Sequence, residues 1–209
     1  GWGEISDIEP DEVPETTAWE ELVRSALLDR DPWQLEQLHQ DWLTVFAEDD
    51  ESSLNRLTRA GLDMLCHGLA SQEAGVPVCQ LLGGRWRSRV HISWVAFIRD
   101  DLQLLQEEIV EKTAEGFTAF KLKVGVDIDL DEQRLAVMRE AAGPAANIKI
   151  DPNGGWDRDQ AVRHITRLAR FELAGVETPV AGRNAADIAS VRHAVDVPLI
   201  EHVSTPTDA

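Results

Sequence analysis

Lysine is scarce in this chain. Only four of its 20 basic side chains are lysines (Lys112, Lys121, Lys123 and Lys149), against 38 acids, and the formal net charge is −18. A surface of that sign repels nucleic acid and anionic membrane, so neither is expected as a partner. Abundant Asp and Glu with little Lys also point to a halophilic source, whose salt-rich cytoplasm screens the self-repulsion. Cysteine occurs twice, as Cys66 and Cys79, too few for a disulfide framework. Both are read as reduced thiols of a cytoplasmic protein, with Cys66 buried in an apolar helical run. No stretch approaches the ~18 consecutive apolar residues of a membrane helix. No basic leader precedes an apolar run, and Gly1-Trp2-Gly3-Glu4 reads as the inside of a strand-rich segment. What remains is 43% hydrophobic and 28% charged, enough apolar mass for a packed core rather than a disordered chain.

Two rhythms divide the sequence. Residues 1 to 85 read as a short strand followed by helices. Thr16 or Thr17 caps the first, and Asp31-Pro32-Trp33 starts the second, with Leu35, Leu38, Trp42 and Phe46 at helical spacing. The third starts near Ser52 or Ser53 and stops at Gly75-Val76-Pro77. From residue 86 strands and helices alternate. Strands are expected at 91–97, 117–124, 147–151, 173–177 and 197–202, and helices at 101–115, 130–142, 157–169 and 185–194. That alternation indicates βαβ units around a parallel sheet, either an open doubly wound sheet or a (β/α)8 barrel. No Gly-rich phosphate loop follows any strand, which lowers the dinucleotide-binding reading.

Charged residues recur at the strand ends. Lys121 and Lys123 lie on the second strand, Asp151 ends the third, Glu177 the fourth, and Glu201-His202 the fifth. The steps from Lys123 of 28, 26 and 25 residues each equal about one βα unit. The carboxyl ends of consecutive barrel strands converge on one mouth. A charge in a strand is costly unless paired, so its repetition on four adjacent strands suggests a shared site. Asp151 and Glu177 are hard oxygen donors suited to Mg²⁺. Lys121 and Lys123 project to the same side of their strand. A lysine beside a cation and a second lysine has its ammonium disfavoured, so it can serve as a base. A proton α to a carboxylate is weakly acidic, and a divalent cation stabilises the enediolate left when it is removed. Taken singly, Lys-Leu-Lys is a solvated strand end and Asp151-Pro152-Asn153-Gly154 a turn. Only the ordered series is specific.

In that order the residues resemble the enolase superfamily, in its mandelate racemase and muconate-lactonising branch. Ala60-Gly61-Leu62-Asp63-Met64 through Leu81-Leu82-Gly83-Gly84 resembles the helix and turn leading into the family's barrel. Residues 116–125 resemble its Lys-x-Lys strand, Asp151-Pro152-Asn153-Gly154-Gly155-Trp156 its first metal-ligand strand, and Val176-Glu177-Thr178-Pro179 its second. The resemblance implies an α/β fold: a partial TIM-type barrel of about five βα units over 86–209, preceded by part of an α+β capping domain over 1–85. It implies Lys123 as the base, Lys121 as the residue that lowers its pKa and holds the substrate carboxylate, and Asp151 and Glu177 as Mg²⁺ ligands. Asn153 is placed toward the substrate. His202 is the third ligand by position, with Glu201 as the alternative if a bulge turns it inward. A histidine ligand would admit another divalent metal.

The implied substrate is a small carboxylate. The implied activity is acid-sugar dehydration, with racemisation or epimerisation, cycloisomerisation, or a non-catalytic binding relative as alternatives. Strands carrying a second acid or base are expected beyond this stretch. The 209 residues alone are expected to be inactive and prone to associate, and the full-length form to be a homo-oligomer.

Overall fold

The structure, a computed structural model, describes residues 1–5, 16–47 and 54–202. Its contacts divide into two compact units, Gly1–Ser88 and Arg89–Ala209.

Among the described residues the first unit has four helices: α1 (Thr16–Leu27), α2 (Leu35–Val45), α3 (Leu54–Ala74) and the one-turn α4 (Val78–Leu81). Its small core joins Ala26, Leu38, Trp42, Phe46, Leu62 and Cys66. The Trp42 indole N–H is buried there and donates to Ala26 O at 3.2 Å, so the ring adds apolar area without a stranded donor. Cys66 is buried, Cys79 half-buried, and both are free thiols. Thr16 and Thr17 lie inside α1 rather than before it, and the caps expected at Ser52 or Ser53 fall outside the described residues. Asp31 opens a turn, accepting the Trp33 N–H at 2.9 Å, and α2 starts only at Leu35.

The strand expected at residues 1–4 is not formed: no described residue pairs with it. The segment lies against α3 instead, where a Cβ on Gly3 would sit 1.9 Å from Gly61 O.

The second unit is a five-stranded parallel sheet in the order β1 (Ser93–Ala96), β2 (Ala119–Lys123), β3 (Asn147–Asp151), β4 (Leu173–Glu177), β5 (Leu199–Ile200). Four helices alternate with the strands: α5 (Leu102–Ala114), α6 (Ile128–Ala142), α7 (Arg158–Leu168) and α8 (Ala185–Ala194). Each starts on a side-chain cap, from Asp101, Asp127, Asp157 and Asn184. Asp157 and Gln160 form a reciprocal capping box. Asp127 moves the start of α6 two residues ahead of the expected 130.

Strand alternation sorts the side chains. Phe120, Leu122, Ile148, Ile150 and Val176 are fully buried in one core with Leu105, Ile109, Leu135, Met138, Ile165 and Val191 of the helices. The residues between them, Lys121, Lys123, Asp151 and Glu177, are left for the other face. β1 and β5 are shorter than the expected 91–97 and 197–202 because each pairs on one side only. Among the described residues no helix is long and apolar enough to cross a membrane.

Candidate active site at the carboxyl ends of β2 to β5

Register aligns the charged residues. Lys123 pairs with Asp151, Ile150 with Val176, and Glu177 with Ile200, so three charged side chains and Ile200 stand in one row across four strands. Lys123 Nζ donates to Asp151 Oδ2 at 2.7 Å. Lys121 Nζ donates to Glu177 Oε1 at 3.0 Å and lies 3.4 Å from Asp151 Oδ2. Asp151 is 2% exposed. The structure therefore brings both lysines and both carboxylates together at one end of the sheet.

The tip of β5 is only partly as expected. His202 Nε2 is 3.4 Å from Glu177 Oε1, while its ring remains half exposed. Glu201 Oε1 accepts the His202 backbone N–H at 3.0 Å. Both residues lie past the last paired position, Ile200. Among the described residues no three His, Cys, Asp or Glu side chains gather into a metal-holding group. Asp151 and Glu177 instead share the Lys121 ammonium.

Two loops set the carboxylates. After Asp151, Asn153 takes a left-handed backbone (φ 51°), and its N–H returns to Asp151 Oδ1 at 2.9 Å. Its side chain is exposed. After Glu177, Thr178 is also left-handed (φ 44°), a conformation that β-branched residues rarely adopt. Its carbonyl accepts the Gly154 N–H at 2.8 Å and its N–H donates to Ile200 O at 2.9 Å. One strained residue thus ties the tips of β3, β4 and β5 together. Among the described residues its buried hydroxyl has no hydrogen-bond partner. Nothing in Glu177-Thr178-Pro179 signals this, since branching at Cβ argues against the observed φ.

The electrostatics follow from the contacts. Burial alone would raise the Asp151 carboxyl, but the Lys123 ammonium, the Asn153 N–H and the Lys121 charge outweigh it and hold it below the ordinary carboxylate range. Burial likewise opposes the Lys121 ammonium, yet Glu177 and Asp151 keep it above the ordinary lysine range. In this structure the lysine ammoniums are the positive charge that the two carboxylates face.

The donor set fits such a charge. Two carboxylates on adjacent strands converge on one cationic nitrogen, and hard oxygen donors of this kind suit Mg²⁺. Residues 104–209 match the family model described as Enolase C-terminal domain-like. The chain belongs to the enolase superfamily. Within it the match is to the mandelate racemase and muconate-lactonising branch.

The hydrophobic dipeptide epimerase of Enterococcus faecalis is 30% identical over 182 residues, which is 86% of this chain and 49% of that protein. The D-galactarolactone cycloisomerase of Agrobacterium fabrum is 29% identical over 95% of this chain and 53% of that one. The crystal structure of the Enterococcus faecalis dipeptide epimerase, complexed with Mg and the dipeptide L-Leu-L-Tyr, superposes with a TM-score of 0.72. It is 28% identical, covering 87% of this chain and 49% of that chain. This enolase-superfamily chain spans about half the length of the curated relatives it matches, which include epimerases, cycloisomerases and a dehydratase. Its five parallel strands correspond to part of the family's barrel.

Proposed function

We propose that the whole protein is a divalent-cation-dependent enzyme that removes the proton α to the carboxylate of a small acid. The observation that carries this is the Lys123–Asp151–Lys121–Glu177 chain of contacts, which puts a candidate base beside two carboxylates at one strand-end mouth. Lys123 is the base. Lys121, the other lysine on the same face of β2, holds the substrate carboxylate and adds the positive charge that favours a neutral Lys123. Asp151 and Glu177 hold the cation, with His202, already against Glu177, or Glu201 as the third donor. Mg²⁺ suits the carboxylates, and a histidine ligand also accommodates a transition metal. When bound, the cation supplies charge stabilisation for the developing enediolate. The exposed Asn153 side chain stands on the loop after Asp151, where it can meet substrate. Unit Gly1–Ser88 is read as part of the capping domain.

The second half of the reaction is read as return of the proton, or opening of a lactone ring by loss of its β-oxygen, ahead of dehydration. Likeness is greater to the epimerase and cycloisomerase named above than to the L-talarate/galactarate dehydratase of Salmonella typhimurium, at 26% identity. The test is incubation of the whole protein with Mg²⁺ in ²H₂O against dipeptides, N-acylamino acids and acid sugars. Deuterium at Cα marks epimerisation, a 2-keto acid formed with loss of water marks dehydration, and one formed from a lactone without loss of water marks ring opening. A Lys123→Ala variant should lower exchange by about 10²–10⁴-fold. Exchange at the wild-type rate in that variant would place the base elsewhere, and none in the wild type would favour a non-catalytic binding protein.

A further inference from the structure

Helix α6 carries a buried ion pair that the lysine–carboxylate site does not use. Asp131 is 0% exposed and Arg134 2%. Arg134 Nη1 donates to Asp131 Oδ1 at 2.9 Å. A salt bridge between residues three apart on one helix needs no burial to form, and burying it costs desolvation of both charges. Burial does push the Asp131 carboxyl above its ordinary range, although the Gly125 N–H and Arg134 oppose the shift. Helix stability therefore does not explain the pair.

Its remaining hydrogen bonds do. Asp131 Oδ2 accepts the backbone N–H of Gly125, two residues after Lys123, at 2.8 Å. Arg134 Nε donates to Arg99 O at 2.6 Å and Nη2 to Asp100 Oδ1 at 3.0 Å. Arg99 and Asp100 lie in the loop after β1, and Gly125 in the loop after β2. Both are loops at the carboxyl ends of the strands. Gly125 is left-handed (φ 114°), and a Cβ there would lie 3.0 Å from Pro152 O, in the residue that follows Asp151. Val124, between Lys123 and Gly125, donates its N–H to Asp151 O at 3.1 Å. The pair thus holds the backbone that leaves Lys123 against the backbone that leaves Asp151.

We infer that Asp131 and Arg134 are positioning residues for Lys123, clamping the loops after β1 and β2 so that the Lys123 amine stays beside Asp151. This rests on the reading of Lys123 as the base. A clamp that acts through Gly125 is separable from stability, because a buried ion pair replaced by apolar side chains of similar size often leaves a fold equally stable.

The experiment is the double substitution Asp131→Leu with Arg134→Met in the whole protein. The clamp requires a melting temperature within a few degrees of wild type, Gly125 amide exchange at least tenfold faster, and kcat for α-proton exchange at least tenfold lower. Mg²⁺ affinity should change less than threefold, while the loss of kcat is on the scale of the roughly 10–100-fold cost of losing an orienting residue around a site. Gly125 protection and kcat both within twofold of wild type in a folded double variant would overturn it. Asp131→Asn keeps an acceptor for Gly125 and should stay within threefold of wild type, so a tenfold loss of kcat with Gly125 still protected also overturns it. If the wild type exchanges no carboxylate's α-proton, the proposed function fails by itself. Gly125 exchange then decides the clamp: unchanged exchange refutes it, and accelerated exchange upholds it.

Discussion

Lys121 on β2 reaches across β3 to Glu177 on β4, closing to 3.0 Å while also lying 3.4 Å from Asp151. A lysine spanning an intervening strand is possible only because the three side chains leave the sheet on one face and converge at one end. That ammonium occupies the charge position for which a divalent cation would compete.

The competition has a measurable consequence. Lys121→Met removes the resident positive charge from Glu177 and Asp151, so Mg²⁺ affinity should rise by about three- to tenfold, the scale of a partly screened charge contact. Turnover should fall in the same variant, because the substrate carboxylate loses its partner. Calorimetric titration beside a deuterium-exchange assay reads both, and a drop in affinity contradicts the shared-position view.

Acid should weaken the fold partly through Asp151. Its carboxyl is held below the ordinary value by Lys123 and neighbours despite burial. A depressed folded-state pKa contributes stability that is fully present above the unfolded value of about 3.9 and lost as pH falls through the lower folded value. Urea titrations from pH 6 to 2 should show wild-type stability falling below about pH 4. In Asp151→Asn that acid-limb slope should be shallower, and equal slopes would refute the assignment.

Helix α6 serves both ends of the sheet. Arg134 binds the site-side loops, whereas Arg139 donates to the carbonyls of Gly143, Ala146 and Phe171 in the loops that enter β3 and β4. In barrels of this kind chemistry belongs to the carboxyl face and stability to the other. Arg139→Met should therefore cost about 2–3 kcal/mol of unfolding free energy by losing several charge-assisted bonds. Mg²⁺ affinity should stay unchanged, as chemical denaturation and titration of the same sample will show.

Glu172 offers a stabilising change remote from the chemistry. It is exposed and left-handed (φ 55°) at the turn before β4. Glu172→Gly removes the Cβ penalty at no cost in packing and should add about 1 kcal/mol. For a chain of this size that corresponds to a rise of about 2–4 °C in Tm, readable by calorimetry.

Much of this was legible in the sequence because it rests on local signals. The alternation of strands and helices and the steps between Lys123, Asp151 and Glu177 are properties of nearby residues or of a regular repeat. The misreadings involve partners that only folding supplies. Gly1-Trp2-Gly3-Glu4 has the look of a strand, but what it meets is Gly61 on a helix. Asp131 stands among Asp127, Asp129 and Glu132 with nothing to distinguish it, and is buried only because the loops after β1 and β2 fold over it. Thr178 is left-handed against its own propensity because Gly154 and Ile200 hold its peptide groups from both sides.

Mg²⁺ titration of the wild-type chain and of Asp151→Asn and Glu177→Gln, by calorimetry under one buffer, addresses the cation site directly. A single site in the wild type, weakened at least tenfold by each substitution, is the outcome that two ligands on one ion require. Equal binding by all three proteins, or a site lost with only one of the two carboxylates, would contradict a shared cation.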